Sequence, residues 1–284
     1  MNGILIVNKP EGITSQAVVS KIKKLLNVKK VGHAGTLDPL ATGVLPVLIG
    51  NATKLSKYLI EHDKTYRAII KLGKKSSTGD REGEIVEEKN IPQNLDETII
   101  RNTLKRFLGK QIQIPPIYSA IKIDGKKLYE YAREGKKIEI PKREIEIYNI
   151  DLIEFNKSKE IIEFEVYCSK GTYIRTLCED IAKEIGTVGY MFALNRTKVD
   201  RFSIKQSYTL DDIMVKNYKL VQMEELFKDF PKLNLNSRKL ELFLNGVNLR
   251  FELKDGIYNI YSNDKYIGIG TVKEELLKRD IIED

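Results

Sequence analysis

Three features of the sequence predict an α+β fold built on a mixed sheet. Strand-like and helix-like stretches are interspersed without a regular βαβ rhythm, which argues against a doubly wound sheet. The clearest strands alternate with period two: Tyr66, Ala68, Ile70 and Leu72 share one face, as do Ile162, Phe164, Val166 and Cys168. The helical stretches carry apolar stripes at the 3.6-residue period, seen in Val18, Val19, Ile22, Leu25 and Leu26 and again in Ile174, Leu177, Cys178, Ile181 and Ile185.

The elements follow in order. A first strand, Gly3 to Val7, ends in the turn Asn8-Lys9-Pro10-Glu11-Gly12. The first helix is capped by Thr14 or Ser15. A glycine-rich loop around Asp38 leads into a strand from Val44 to Ile49, and a second clear strand runs from Lys64 to Leu72. Residues 73–90 are polar and glycine-rich and read as an exposed loop. A helix from about Asp96 to Leu108 turns Ile99, Ile100, Leu104 and Leu108 inward and stops at Gly109. Asp124-Gly125 marks a hairpin, followed by strands at about 144–155 and 161–168. Ser169-Lys170-Gly171 turns into the second striped helix, and a strand carries Met191 to Leu194. The main body closes near Pro231. Beyond it, a short helix ending at Asn245-Gly246 and strands near 257–261 and 266–272 make a small β-rich tail.

Composition narrows the function. With 284 residues, 42% hydrophobic and 31% charged, the chain reads as an ordinary globular protein. A net charge of +8 and a pI of about 9.1 call for a polyanionic partner. No apolar run approaches the roughly 20 residues of a spanning helix, so nucleic acid is favoured over membrane. The N-terminus lacks a basic leader and reads as a strand, so a cytoplasmic location is expected. Two cysteines and two histidines cannot assemble a common structural zinc site, and no metal or cofactor is expected. Cys168 and Cys178 read as small core residues.

The segment Gly32-His33-Ala34-Gly35-Thr36-Leu37-Asp38-Pro39-Leu40-Ala41-Thr42-Gly43 places one carboxylate in a tight, largely uncharged loop. Two readings stand for Asp38: a group that pins the loop through nearby amides, or a catalytic carboxylate. A phosphate-cradling loop fits badly, because no Lys-Ser/Thr follows and a central carboxylate would repel phosphate. A buried catalytic acid must stay ionised and needs a fixed cation nearby, best an arginine with paired donors. Arg175, in the first turn of a predicted helix where the dipole disfavours a cation, is a candidate; the bland reading is an arginine reaching to solvent. Tyr66 and Tyr173 are candidates for an aromatic platform under an extruded base, with a core role the alternative for Tyr66. For His33, loop packing and RNA contact stand equally. Two basic runs, Lys21 to Lys30 and Lys122 to Arg143, the second interleaved with Tyr129 and Tyr131, point to phosphate contacts.

These residues together resemble the TruB-type tRNA pseudouridine synthases. The likeness covers 3–200 and includes, in order, Asn8-Lys9-Pro10-Glu11-Gly12, the Asp38 segment, Tyr66-Arg67, Pro116-Ile117-Tyr118-Ser119-Ala120, Gly125 to Arg133 and Cys168 to Thr176. It implies a mainly antiparallel central sheet flanked by helices, the pseudouridine synthase fold. It also implies a catalytic domain over 1–231 with an RNA-binding thumb at about 124–143, and a small PUA-like RNA-binding domain over 232–284. By resemblance, Asp38 is the catalytic aspartate, Tyr66 stacks on the flipped base, Arg175 pairs with the aspartate, and Tyr173 and Leu194 complete the base pocket. His33, Lys9, Lys126, Lys127 and Arg133 are implied RNA contacts.

One departure follows Leu194. The family has two basic residues there and a Ser-Gly pair soon after; this chain has Asn195-Arg196-Thr197-Lys198-Val199-Asp200, which touches a peripheral RNA contact or the loop's shape.

The activity implied is isomerisation of uridine 55 in the T loop of tRNA, by a monomer that uses no cofactor. One ionised carboxylate serves attack on C6 of the base, attack on C1′, or removal of a C2′ proton. A noncatalytic tRNA-binding protein on the same scaffold has no use for a carboxylate facing RNA. A glycoside hydrolase calls for two carboxylates flanking the bond, and only one convincing acid is visible.

Overall fold

The computed structural model describes residues 1–119, 121–136 and 138–283; Ala120, Lys137, Asp284 and the side chains of Tyr129 and Arg133 lie outside the described set. The first half contains β1 (Gly3–Lys9), α1 (Ser15–Leu25), β2 (Val31–His33), β3 (Thr42–Ile49), α2 (Ser56–Leu59) and β4 (Lys64–Leu72). Next come β5 (Lys74–Ser76), β6 (Ile85–Glu88), α3 (Glu97–Lys105), β7 (Gly109–Gln113), β8 (Lys122–Ile123), β9 (Lys126–Lys127) and α4 (Leu128–Arg133). The second half continues with β10 (Arg143–Asn156), β11 (Ile161–Cys168), α5 (Ile174–Ile185), β12 (Gly189–Val199), β13 (Phe202–Ser203), α6 (Leu210–Met214) and α7 (Met223–Leu226). The tail holds β14 (Lys232–Asn234), α8 (Ser237–Leu244), β15 (Leu249–Arg250), β16 (Gly256–Ser262), β17 (Lys265–Lys273) and β18 (Leu276–Ile282).

The main sheet runs β1-β3-β12-β4-β11-β10-β7, with β2 on β3 and β13 on β12. Among the described residues only β12 and β3 pair in parallel within it, so the sheet is mixed and mainly antiparallel. The alternation in β4 and β11 has its expected effect. Ala68, Ile70, Phe164 and Val166 are fully buried, in one cluster with Leu177, Cys178 and Ile181 of α5. Each such Ile or Leu contributes about 1.5–3 kcal/mol by leaving water, and the stripe presses α5 onto the sheet. Gly186 then ends α5 in the left-handed conformation at φ 102°. Cys168 and Cys178 are free, buried thiols; burial pushes Cys168 up to about 12, so it stays protonated.

Some expectations need correction. Leu25 and Leu108 are exposed, because α1 and α3 turn only one narrow stripe inward and α3 ends at Lys105. Gly109 opens β7, an edge strand paired with β10. Residues 73–90 are not a simple exposed loop. They form the β5–β6 hairpin, in which Ser76 and Asp80 are buried. The strand through Leu194 also continues to Val199 and carries Arg196 into the core.

The tail sheet runs β14-β16-β17-β18-β15. It rests on the main body through a shared apolar cluster that includes Tyr58, Phe227, Tyr261 and Ile269. Lys57 pairs with Asp280 at 2.7 Å, and Asn51 Nδ2 donates to the Ile282 carbonyl at 3.2 Å. Among the described residues, no helix is long and apolar enough to cross a membrane.

Candidate active site

The Asp38 loop joins β2 to β3, and side chains distant in sequence bind its carbonyls. Ser15, at the start of α1, donates to the Leu37 carbonyl at 3.1 Å and accepts from the Leu37 amide at 2.9 Å. Lys9 Nζ donates to the carbonyls of Pro39 at 3.0 Å and Ala41 at 2.6 Å, and to Pro10 at 2.9 Å. Arg196 takes Gly35 at 3.0 Å and Thr36 at 3.4 Å. The Asp38 carbonyl itself accepts from the Ala41 amide at 3.1 Å. A loop with its carbonyls so engaged cannot rotate its peptides freely, and the Asp38 side chain leaves it in one direction.

That direction leads to Arg175. The Arg175 Nε lies 3.1 Å from Asp38 Oδ2. The buried guanidinium is held by the Tyr118 carbonyl at 2.7 Å and the Thr78 carbonyl at 3.3 Å. Its Nη1 also lies 3.5 Å from Oδ2 of a second, buried carboxylate, Asp80. Asp80 is oriented by the Thr78 hydroxyl at 2.6 Å and the Glu82 amide at 3.1 Å. The sequence reading found only one convincing acid because Asp80 sits in what looked like an exposed polar loop. The hairpin folds that loop over the first turn of α5, and Asp80 offsets the unfavourable placement of a cation there.

The Asp38 side chain keeps 35% of its surface exposed, so a ligand can reach it. Even so, its recessed position raises its pKa above the ordinary carboxylate value, with burial the largest cause. Arg175 opposes that rise, Asp80 adds to it, and Lys9 again opposes it.

Tyr66 and Leu194 lie on neighbouring strands, β4 and β12, in the same buried cluster as Leu37, Leu40 and Ala41 of the Asp38 loop. Burial raises the Tyr66 pKa and keeps its phenol neutral. Tyr173 caps α5 and is half-buried; its amide donates to Gln113 Oε1 at 2.8 Å and its carbonyl accepts from Gln113 Nε2 at 3.0 Å. The fold therefore gathers Asp38, Tyr66, Leu194 and the Tyr173–Arg175 pair at the start of α5 from four separate segments.

The remaining candidates divide. His33 lies in β2 and not in the loop; it is half-buried, and burial followed by the nearby Arg196 lowers its pKa, so the imidazole is neutral at pH 7. Lys126 pairs with Glu134 in the β8–β9 hairpin region, 4.9 Å from the Tyr131 ring centroid, and Lys127 starts α4. The Arg133 side chain lies outside the described residues, as does Lys137.

Lys9, expected at the RNA surface, is instead fully buried beneath the Asp38 loop, where burial lowers its pKa to about 8. Its backbone-binding role overturns the surface expectation. Replacing it by methionine leaves buried carbonyls unpaired and should cost about 2–4 kcal/mol of folding stability. Chemical denaturation checks this; an unchanged midpoint would mean that the carbonyls find other partners.

Arg196 also needs reassignment. It is 1% exposed, donates from Nε to the Val44 carbonyl at 2.8 Å, and lies opposite Tyr66 in the β12–β4 register. It is an internal residue and not a peripheral contact. The detectable signal was the period-two alternation continuing past Leu194, which puts Leu194 and Arg196 on one face.

Comparison with known proteins agrees with this geometry. A model of the TruB family pseudouridylate synthase N-terminal domain matches residues 23–174, and one of the tRNA pseudouridylate synthase B C-terminal domain matches 175–230. The tRNA pseudouridine synthase B of Clostridium tetani is 42% identical over 98% of this chain and 98% of its own. That of Alkaliphilus oremlandii is 44% identical over 97% and 94%. Among solved structures, a Cbf5-Nop10-Gar1 complex matches with a TM-score of 0.69 at 25% identity, covering 99% of this chain and 84% of that one. An H/ACA RNP bound to a substrate RNA containing 2′-deoxyuridine shares the fold, with a TM-score of 0.70, 23% identity and coverage of 99% and 85%. The chain belongs to the TruB family of pseudouridylate synthases, which are isomerases.

Proposed function

We propose that this protein isomerises uridine 55 in the T loop of tRNA to pseudouridine, with Asp38 as the nucleophile toward a flipped-out uridine. The observation that carries the reading is the Asp38–Arg175 pair, set in an accessible recess beside Tyr66 and Leu194. The names of the curated relatives, tRNA pseudouridine synthase B, support tRNA as the substrate.

Pseudouridine has the same atoms as uridine. Asp38 supplies an electron pair while the N1–C1′ bond breaks. The detached uracil, kept against Tyr66 and Leu194, turns and joins C1′ through C5. The C5 proton leaves and N1 gains one. Every heavy atom stays, Asp38 is released as C5 joins C1′, and the proton lost at C5 is balanced by the one gained at N1, so the overall reaction consumes no oxidant or co-substrate. Arg175 keeps Asp38 ionised against the effect of burial, and Tyr173 lines the pocket at the start of α5.

The basic segment 124–143 serves as the thumb on the T stem, with Lys126, Lys127 and Arg133 meeting phosphates and His33 meeting the T loop. The 232–284 sheet serves as a small PUA-like RNA-binding domain beside a catalytic domain of 1–231, and the enzyme works as a monomer.

Release of tritium from tRNA transcript labelled at uridine C5 tests the activity, because C5 loses its hydrogen. The account expects stoichiometric release from one uridine per tRNA; no release would refute it. Reversing Lys126 and Lys127 to glutamate should weaken tRNA binding and reduce the slope of log affinity against log salt by about 1–2. An unchanged slope would remove this segment from the interface.

A further inference from the structure

We propose that Arg196 is a positioning residue for the isomerisation: its guanidinium clamps the Tyr66 ring in register with the loop that carries Asp38. The inference rests on the site reading above, in which Asp38 reacts and Tyr66 carries the base.

Three observations support the clamp. First, the register puts Arg196 between the two parts it joins. In β12 it lies opposite Tyr66 of β4 on one side and opposite Gly43 of β3 on the other. The chains are so close there that a Cβ at Gly43 would sit 2.3 Å from the Arg196 carbonyl oxygen, and Gly43 itself holds φ 104°.

Second, one side chain binds the loop on one side and faces Tyr66 on the other. The guanidinium donates to the carbonyls of Gly35 and Thr36, ahead of Asp38 in its loop, and to Val44, just after it. Across the β12–β4 register it faces Tyr66, whose side chain is buried beside it. A guanidinium is a rigid planar fork, so these three carbonyl oxygens are fixed relative to one another and to the Tyr66 strand it pairs with.

Third, the charge is costly. Arg196 is buried to 1% exposure, and among the described residues it makes no ion pair with a carboxylate. An isolated buried cation costs several kcal/mol. Backbone carbonyls in a core are ordinarily met by backbone amides or neutral side chains. A cation placed there fits a site where geometry matters more than stability, and no neutral side chain offers five donors in one plane.

Arg196→Lys keeps the charge and removes the fork. The test compares wild type, Arg196→Lys, Tyr66→Phe and the double variant, using single-turnover tritium release with enzyme in excess over C5-labelled tRNA. Single-turnover rate constants do not depend on the active fraction. Affinity for tRNA and thermal midpoint are measured alongside.

Because a displacement of about 1 Å can cost 10²-fold, Arg196→Lys should slow single turnover about 100-fold while tRNA affinity changes less than about threefold. If the clamp acts through Tyr66, the double variant should lose at least about tenfold less than the product of the single losses. A wild-type rate in Arg196→Lys, a loss confined to affinity, or a double-variant loss closer to that product overturns the proposal. Arg196→Gln serves as a second variant. If neither accumulates as folded protein, Arg196 is a stability residue and the proposal fails.

Asp38→Asn run in parallel separates the two readings. Wild-type turnover in Asp38→Asn refutes the site reading. An inactive Asp38→Asn with a wild-type Arg196→Lys refutes only the clamp.

Discussion

Asp38→Ala should lower single-turnover pseudouridine formation by about 10⁴-fold or more, while affinity for tRNA stays within about threefold of wild type. The loss should be large because the other carboxylate on Arg175, among the described residues, is not free to take the place of Asp38. Asp80 is the nearest carboxylate in the same network, but it is buried and already held by the Thr78 hydroxyl and the Glu82 amide. Affinity should be retained because exposed lysines away from Asp38 are available to the phosphates. Lys21, Lys23, Lys24, Lys29 and Lys30 are all exposed, far more numerous than one carboxylate in a recess. A variant that keeps turnover would remove Asp38 from the chemistry; one that loses only affinity would make it an RNA contact.

The second large effect belongs to Arg175. Arg175→Lys should reduce turnover by about 10²–10³-fold, with a smaller change in affinity. A lysine carries the charge but cannot reach Asp38, Asp80 and the carbonyls of Thr78 and Tyr118 together.

The pH dependence carries a sign. The proposed chemistry needs Asp38 as a carboxylate, and burial already lifts its pKa above the ordinary value. Arg175 opposes that lift, so a weaker pairing raises the Asp38 pKa further. The acid limb of the single-turnover pH profile should therefore move to higher pH in Arg175→Lys, and the defect should be larger at pH 6 than at pH 8. A shift to lower pH, or a loss in affinity alone, would mean that Arg175 serves the RNA and not the carboxylate.

The parts of this site that were legible in the sequence are those governed by local chemistry. The Asp38 loop announces itself through its glycines and its single acid. Tyr66 is placed by the period-two pattern on the inward face of its strand, and Arg175 stands out as a cation in the first turn of a helix, where the dipole disfavours it. Lys9, Asp80 and Arg196 were misread for one common physical reason. A buried ion and a solvated one look alike along a chain, and the difference lies in partners far away in sequence. Lys9 meets Ala41 across 32 residues, Arg196 meets Gly35 across 161, and Asp80 meets Arg175 of a distant helix. The edge strands β7 and β15 escaped notice because they are short and are fixed by pairing with β10 and β18, more than by their own side chains. Burial of a charge can be read forward only where a strand pattern is followed past its apolar end, as at Arg196.

The most direct test of the account is to incubate the protein with an unmodified tRNA transcript and map pseudouridine at every uridine. The account expects one pseudouridine, at position 55, formed by the wild-type protein and absent with Asp38→Ala. Pseudouridine at another position, none at all, or an equal yield from Asp38→Ala would contradict it.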